Sequence, residues 1–139
     1  MAEKKDKPIA KKPDLPHNLE AERKVLGSML LDREVIPEVS QHIESTDFYQ
    51  PAHQDTFQVL VDLYNENKPI DLTFVTDELQ KREKLDEVGG FVYLAQLENS
   101  VLSTSAGPEN AYLIRDKSIL RRLILATNTI QREAYEESR

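Results

Sequence analysis

The sequence predicts an all-α protein: a compact multi-helix head followed by one long helix. Three observations carry this. From Leu15 onward the apolar residues recur at spacings of three and four. β-branched runs and strict alternation, the marks of strands, are scarce. After Pro108 the chain runs to its last residues without another glycine or proline.

The elements follow in order. Asn18 is placed to cap a first helix to about Leu31, with Glu20 and Glu22 in its first turn, where carboxylates suit the helix dipole. Leu19, Leu26, Met29 and Leu30 form its apolar face, with Val25 beside it. A second helix covers about Ile36–Ile43, with Pro37 tolerated only near its start. Thr46–Gln50 connects to a third, opened by Pro51 and running to about Asn65, whose buried set reads Phe57, Leu60, Val61 and Tyr64. Asp71 caps a fourth, about Leu72–Glu83. Gly89-Gly90 breaks the chain before a short helix at about Phe91–Asn99. The last helix opens at Pro108, and to Ser138 it would span roughly 46 Å at the α-helical rise. Two apolar stripes mark it: Tyr112, Ile119, Leu123, Ala126 and Ile130, and Leu113, Leu120, Ile124 and Thr127. One stripe suffices for packing on the head, so the second suggests a partner helix. The organisation reads as a disordered basic tail (1–13), a helical head (14–107) and a long helix (108–139).

Charge narrows the function. The chain carries −7 overall, yet its first 13 residues hold five lysines against two acids. The rest is therefore strongly acidic and ill suited to neutralising phosphates, so little direct DNA binding is expected. Cysteine is absent, excluding a disulfide framework and thiolate metal sites. No apolar run exceeds five residues, and no apolar segment follows the N-terminal lysines. A membrane span and a secretory signal are thus excluded, and a cytoplasmic protein is expected.

The search for catalytic chemistry yields little. No GxxxxGK[ST] phosphate loop, GxSxG or HExxH pattern occurs. His17 reads as solvated and His42 as a helix-end residue, while His53 lies in the first turn of the third helix. A metal site from His42, Asp47 and His53 can be drawn, but no two share i, i+4 spacing. No catalytic residue, metal ligand or cofactor is assigned to this chain. Phe48, Phe57, Phe74 and Tyr64 read as core; Tyr93, after the double glycine, is either core or an exposed anchor.

Five segments, in matching order and spacing, resemble the N-terminal domain of the bacterial replicative DNA helicase of the DnaB type. They are Leu15–Glu22 with Val25–Leu31; Asp47-Phe48-Tyr49 with Ala52-His53-Gln54; Lys68–Leu79; Val88–Leu94; and Asn110-Ala111-Tyr112 with Lys117–Ile124. The resemblance covers about residues 15–139. It implies that the long helix is the first arm of a helical hairpin, with hairpins pairing between subunits and six such domains forming a collar. It also implies that the collar docks the C-terminal domain of primase during replication, and that a helicase loader is a further possible partner. The second arm, the linker and an ATP- and Mg-dependent motor are expected outside this chain, which is itself non-catalytic. By matching motif positions, the resemblance points to Tyr93, Ile124 and Ile130 for primase contact, with packing within the hairpin or the dimer as the other reading of the two isoleucines. The doubly striped helix offers Tyr112, Leu113, Ile119, Leu120 and Leu123 for self-association. A competing reading is a stand-alone loader-type or primase-binding adaptor that shares the fold.

Overall fold

Side-chain caps set where two of the helices begin. The structure, a computed structural model, describes residues 14–138; the expected disordered tail, Met1–Pro13, lies outside the described residues. Among the described residues are seven α-helices and no strand: α1 (Leu19–Leu31), α2 (Val35–Ser40), α3 (Pro51–Asn65), α4 (Leu72–Lys81), α5 (Leu85–Val88), α6 (Gly90–Asn99) and α7 (Gly107–Glu137), with a 3₁₀ turn at Ser45–Asp47. The Asn18 side chain accepts the Ala21 N–H at 3.0 Å, and Asp71 accepts that of Phe74 at 2.9 Å. Each satisfies a donor that the first helical turn leaves without a partner.

Two helices end alike. Asn67 and Glu83 adopt φ of 58° and 60°. The N–H groups of Lys68 and Lys84 then reach back to the Leu63 and Leu79 carbonyls at 2.9 Å. This is the Schellman closure, which glycine or asparagine usually supplies. Glu83 is neither, yet it takes the left-handed position, so α4 stops at Lys81, two residues before the expected end. The second helix is also shorter than expected: it spans Val35–Ser40 and turns at Gln41-His42, although Ile43 stays buried. Pro37 sits at its third residue, where the N–H has no intrahelical acceptor to lose. The short α5 was not expected. Gly89 (φ 106°) terminates it, and a Cβ there would lie 2.7 Å from that of Tyr93.

The core forms around α1, which packs against α7, α6, α3 and α2. From Val25 to Leu30 every residue is buried. Surrounded on several sides, α1 has little solvent face there, and burial of each large apolar side chain contributes about 1.5–3 kcal/mol. Gly27 marks its closest approach to α6, where a Cβ would collide with the Leu97 carbonyl oxygen. Phe48 and Phe57 are buried with ring centroids 5.0 Å apart, as expected. Phe74 is not in the core: it is 42% exposed, because the inward line of α4 is Val75 and Leu79. Val61 and Tyr64 are only partly buried; His53, Thr56, Val59 and Leu63 join Phe57 and Leu60 on the inner side of α3.

Candidate functional site

The most distinctive feature is α7, 31 residues long. Its buried residues are Gly107, Ala111, Ile114, Ser118 and Arg121. This line corrects the expectation that one of the two apolar stripes packs on the head, since both stripes are largely exposed. The line mixes Gly107, Ala111 and Ser118 with Ile114 and Arg121, so the true contact line does not look hydrophobic in sequence. Tyr112, Leu113, Ile119, Leu120 and Leu123 are all exposed, as are Ile124 (36%) and Ile130 (64%). Exposed Leu125 and Tyr135 lie outside the expected stripes. Beyond Arg121 only Thr129 is even partly covered up to Ser138. The final sixteen residues of α7 thus project roughly 24 Å past the last buried position.

The base of α7 is tied to the Asp47–Gln50 connector by polar contacts. Buried Asp47 closes a capping box with Glu44, accepting the Glu44 N–H through Oδ2 at 2.8 Å. Its Oδ1 accepts the Ser118 hydroxyl at 2.7 Å and has Arg122 at 3.8 Å. Arg121 donates from Nη1 to the Pro16 carbonyl at 2.9 Å and from Nη2 to the Asp47 carbonyl at 2.6 Å. Its guanidinium lies 5.5 Å from the Tyr49 ring centroid. Tyr49 also stacks on His17 at 4.2 Å, and His17 Nδ1 meets the Leu15 carbonyl at 2.7 Å. His17 is therefore part of this joint and not a freely solvated residue.

A second polar chain runs through the head. Glu22 is fully buried: its carboxylate accepts the Tyr49 N–H at 2.7 Å and the Gln50 N–H at 3.4 Å, at the start of α3. The same carboxylate meets His53 Nδ1 at 2.7 Å, and His53 Nε2 meets the Tyr93 hydroxyl at 2.6 Å. A carboxylate only accepts, so Nδ1 donates; in the neutral ring Nε2 then accepts the phenol proton. Burial pushes the Tyr93 phenol above its ordinary value of 10.0, with nearby Glu22 acting the same way and Arg23 opposing. Tyr93 is partly buried with its hydroxyl engaged inside, so its outer ring alone is left for a partner. Sequence reasoning placed Glu22 only as a favourable first-turn acid. Its position four residues after Asn18 held no signal that it reaches across to α3.

The residues of the drawn metal site do not converge. His53 is spent on Glu22 and Tyr93, whereas His42 lies against Tyr112, its Nε2 3.4 Å from that hydroxyl. Among the described residues no group of three His, Cys, Asp or Glu is placed to hold a metal ion, and no helix is long and apolar enough to cross a membrane.

This arrangement has known counterparts. The family model for the DnaB-like helicase N terminal domain matches residues 14–116. The replicative DNA helicase DnaB of Buchnera aphidicola subsp. Baizongia pistaciae is 35% identical over 131 residues, which is 94% of this chain and 28% of that protein. The replicative DNA helicase DnaC of Bacillus subtilis is 38% identical over 120 residues, 86% of this chain and 26% of that protein. The chain thus spans about a quarter of the length of these relatives. The crystal structure of the N-terminal domain of DnaB helicase from Mycobacterium tuberculosis superposes with a TM-score of 0.87 at 34% identity, covering 90% of this chain and 89% of that one. The N-terminal domain of the Helicobacter pylori DnaB helicase, described with its interactions with primase, gives a TM-score of 0.66 at 27% identity, covering 83% and 89%.

Proposed function

Because the chain belongs to the DnaB-like helicase N-terminal domain family, we propose that it is the non-catalytic scaffold and interaction domain of a replicative DNA helicase. On this reading it helps to form a hexameric collar and docks the C-terminal domain of primase in the cytoplasm. ATP hydrolysis and strand translocation belong to a motor in the full-length helicase, since this chain carries no phosphate loop. A helicase loader is a further candidate partner.

One observation carries the reading: α7 turns two apolar stripes away from the head and projects sixteen residues beyond its last buried side chain. Exposed apolar surface of this extent marks an interaction site. The Helicobacter pylori relative's reported primase interaction supports the choice of partner. Tyr93, Ile124 and Ile130 are the proposed primase contacts, and Tyr112, Leu113, Ile119, Leu120 and Leu123 the proposed self-association surface.

The test is a binding titration of this chain with the C-terminal domain of its cognate primase. Ile124→Ala and Ile130→Ala are expected to weaken binding about fivefold or more while the fold stays intact. Tyr93→Phe separates an anchor from an internal strut: it keeps the ring and removes the hydroxyl that bonds His53. Parental affinity in folded Ile124→Ala and Ile130→Ala, or no binding by the parent, would overturn the docking assignment.

A further inference from the structure

Arg121 differs from every other charged residue of α7. It is only 9% exposed, and it is the last buried residue before the projecting half begins. Its two donors go to main-chain carbonyls of separate segments: Pro16, ahead of α1, and Asp47, in the connector before α3. Its guanidinium also faces the ring of Tyr49, whose own N–H is held by buried Glu22. Among the described residues no carboxylate lies within ion-pair distance of it, so its contacts are directional and not merely an attraction between charges.

We infer that Arg121 is the positioning residue that sets the direction in which α7 leaves the head. The mechanics follow from lengths. Upstream, α7 is held by Gly107, Ala111, Ile114 and Ser118, on one narrow line of small and medium side chains with a single side-chain hydrogen bond, from the Ser118 hydroxyl to Asp47 Oδ1 at 2.7 Å. Such a seam resists separation better than it resists pivoting. From Ile114 to the end of α7 is roughly 35 Å at the α-helical rise. A pivot of about 10° there would swing the tip by about 6 Å. Arg121 bonds the helix at two points, roughly 10 Å along that lever, and so opposes the pivot. A planar fork with several fixed donors does this; a lysine ammonium is a single nitrogen with rotatable donors, fixes no plane and does not stack equally. The consequence for partner spacing rests on the reading of α7 as the assembly surface; the orientation itself does not.

The chain has no cysteine, so two can be introduced cleanly. Spin labels at Glu38→Cys on α2 and Glu133→Cys on α7 report the head-to-tip distance by electron spin–spin coupling. The labelled chain is diluted in unlabelled protein to suppress signal between copies. The parent and Arg132→Ala, an exposed position on the projecting half, are expected to give one narrow distribution. Arg121→Ala is expected to at least double its width with helix content unchanged, and Arg121→Lys to fall between. An unaltered width in Arg121→Ala overturns the inference. If that variant does not fold, an unaltered width in Arg121→Lys does so. Primase titration of the same variants reads the docking surface separately, so a failed docking assignment leaves the distance result standing.

Discussion

Glu22 shows how much one side chain can organise. A carboxylate removed from water is tolerated only when its acceptor capacity is filled. Here two N–H groups at the start of α3 and the His53 ring fill it. Glu22→Gln keeps the shape but replaces one accepting oxygen with a donor facing donors. It is expected to cost about 2–4 kcal/mol in a denaturant titration. At the outer end of the chain, the Tyr93 phenol is held protonated by burial. Its folded pKa is raised, so the contribution it makes is complete below pH 10.0 and is lost as pH climbs through the folded value. Thermal unfolding followed from pH 8 to 11 should therefore show a shallower alkaline decline in Tyr93→Phe than in the parent. Equal declines would mean that this hydroxyl is not coupled to folding.

Among the elements, α4 and α7 carry the clearest expectations. Glu83 holds φ 60° at the end of α4, where a Cβ is disfavoured and glycine is not. Glu83→Gly should stabilise the domain by about 0.5–1 kcal/mol, with the larger backbone entropy of unfolded glycine taking back part of the gain. An unchanged midpoint in urea would show that Glu83 makes compensating contacts. For α7, helix length alone does not confer stability, since an isolated helical stretch of about 16 residues is marginal in water. Its amide protection should be high through Arg121 and fall within about two turns beyond it, as measured by hydrogen exchange on dilute protein. Uniform protection to Glu137 would require a partner helix even in dilute solution.

For the whole molecule the question is what the projecting helix does alone. Several exposed Leu and Ile side chains, each worth about 1.5–3 kcal/mol on burial, favour pairing through Ile119, Leu120 and Leu123. One helix offers limited area, and an interface under about 1,000 Å² is weak. The acidic body adds repulsion that salt screens. A weak, concentration-dependent dimer that tightens slightly with added salt is expected, and a stable hexamer is not. Sedimentation across concentration and salt decides this. A strict monomer at high concentration would mean that the stripes are too sparse to drive association.

The all-α class and most helix boundaries were legible without coordinates because they rest on local chemistry: Asn18 and Asp71 as caps, Pro51 at a first turn, Gly89-Gly90 as the break before α6. So was the length of α7, which needs only an absence of breakers. The end of α4 moved because Glu83 holds the left-handed region against its preference, while α2 stops early at Ser40 with no such residue at its end. Only the tertiary structure decided which line of α7 meets the head. The choice fell on Ala111, Ile114, Ser118 and Arg121, and not on the more hydrophobic stripes, because the Ser118 hydroxyl and the Arg121 guanidinium find acceptors in the connector and ahead of α1. The same holds for Glu22, His53 and Tyr93, which are separated by 31 and 40 residues along the chain. No periodicity encodes a hydrogen bond between such distant positions, and it exists only once α1, α3 and α6 have packed.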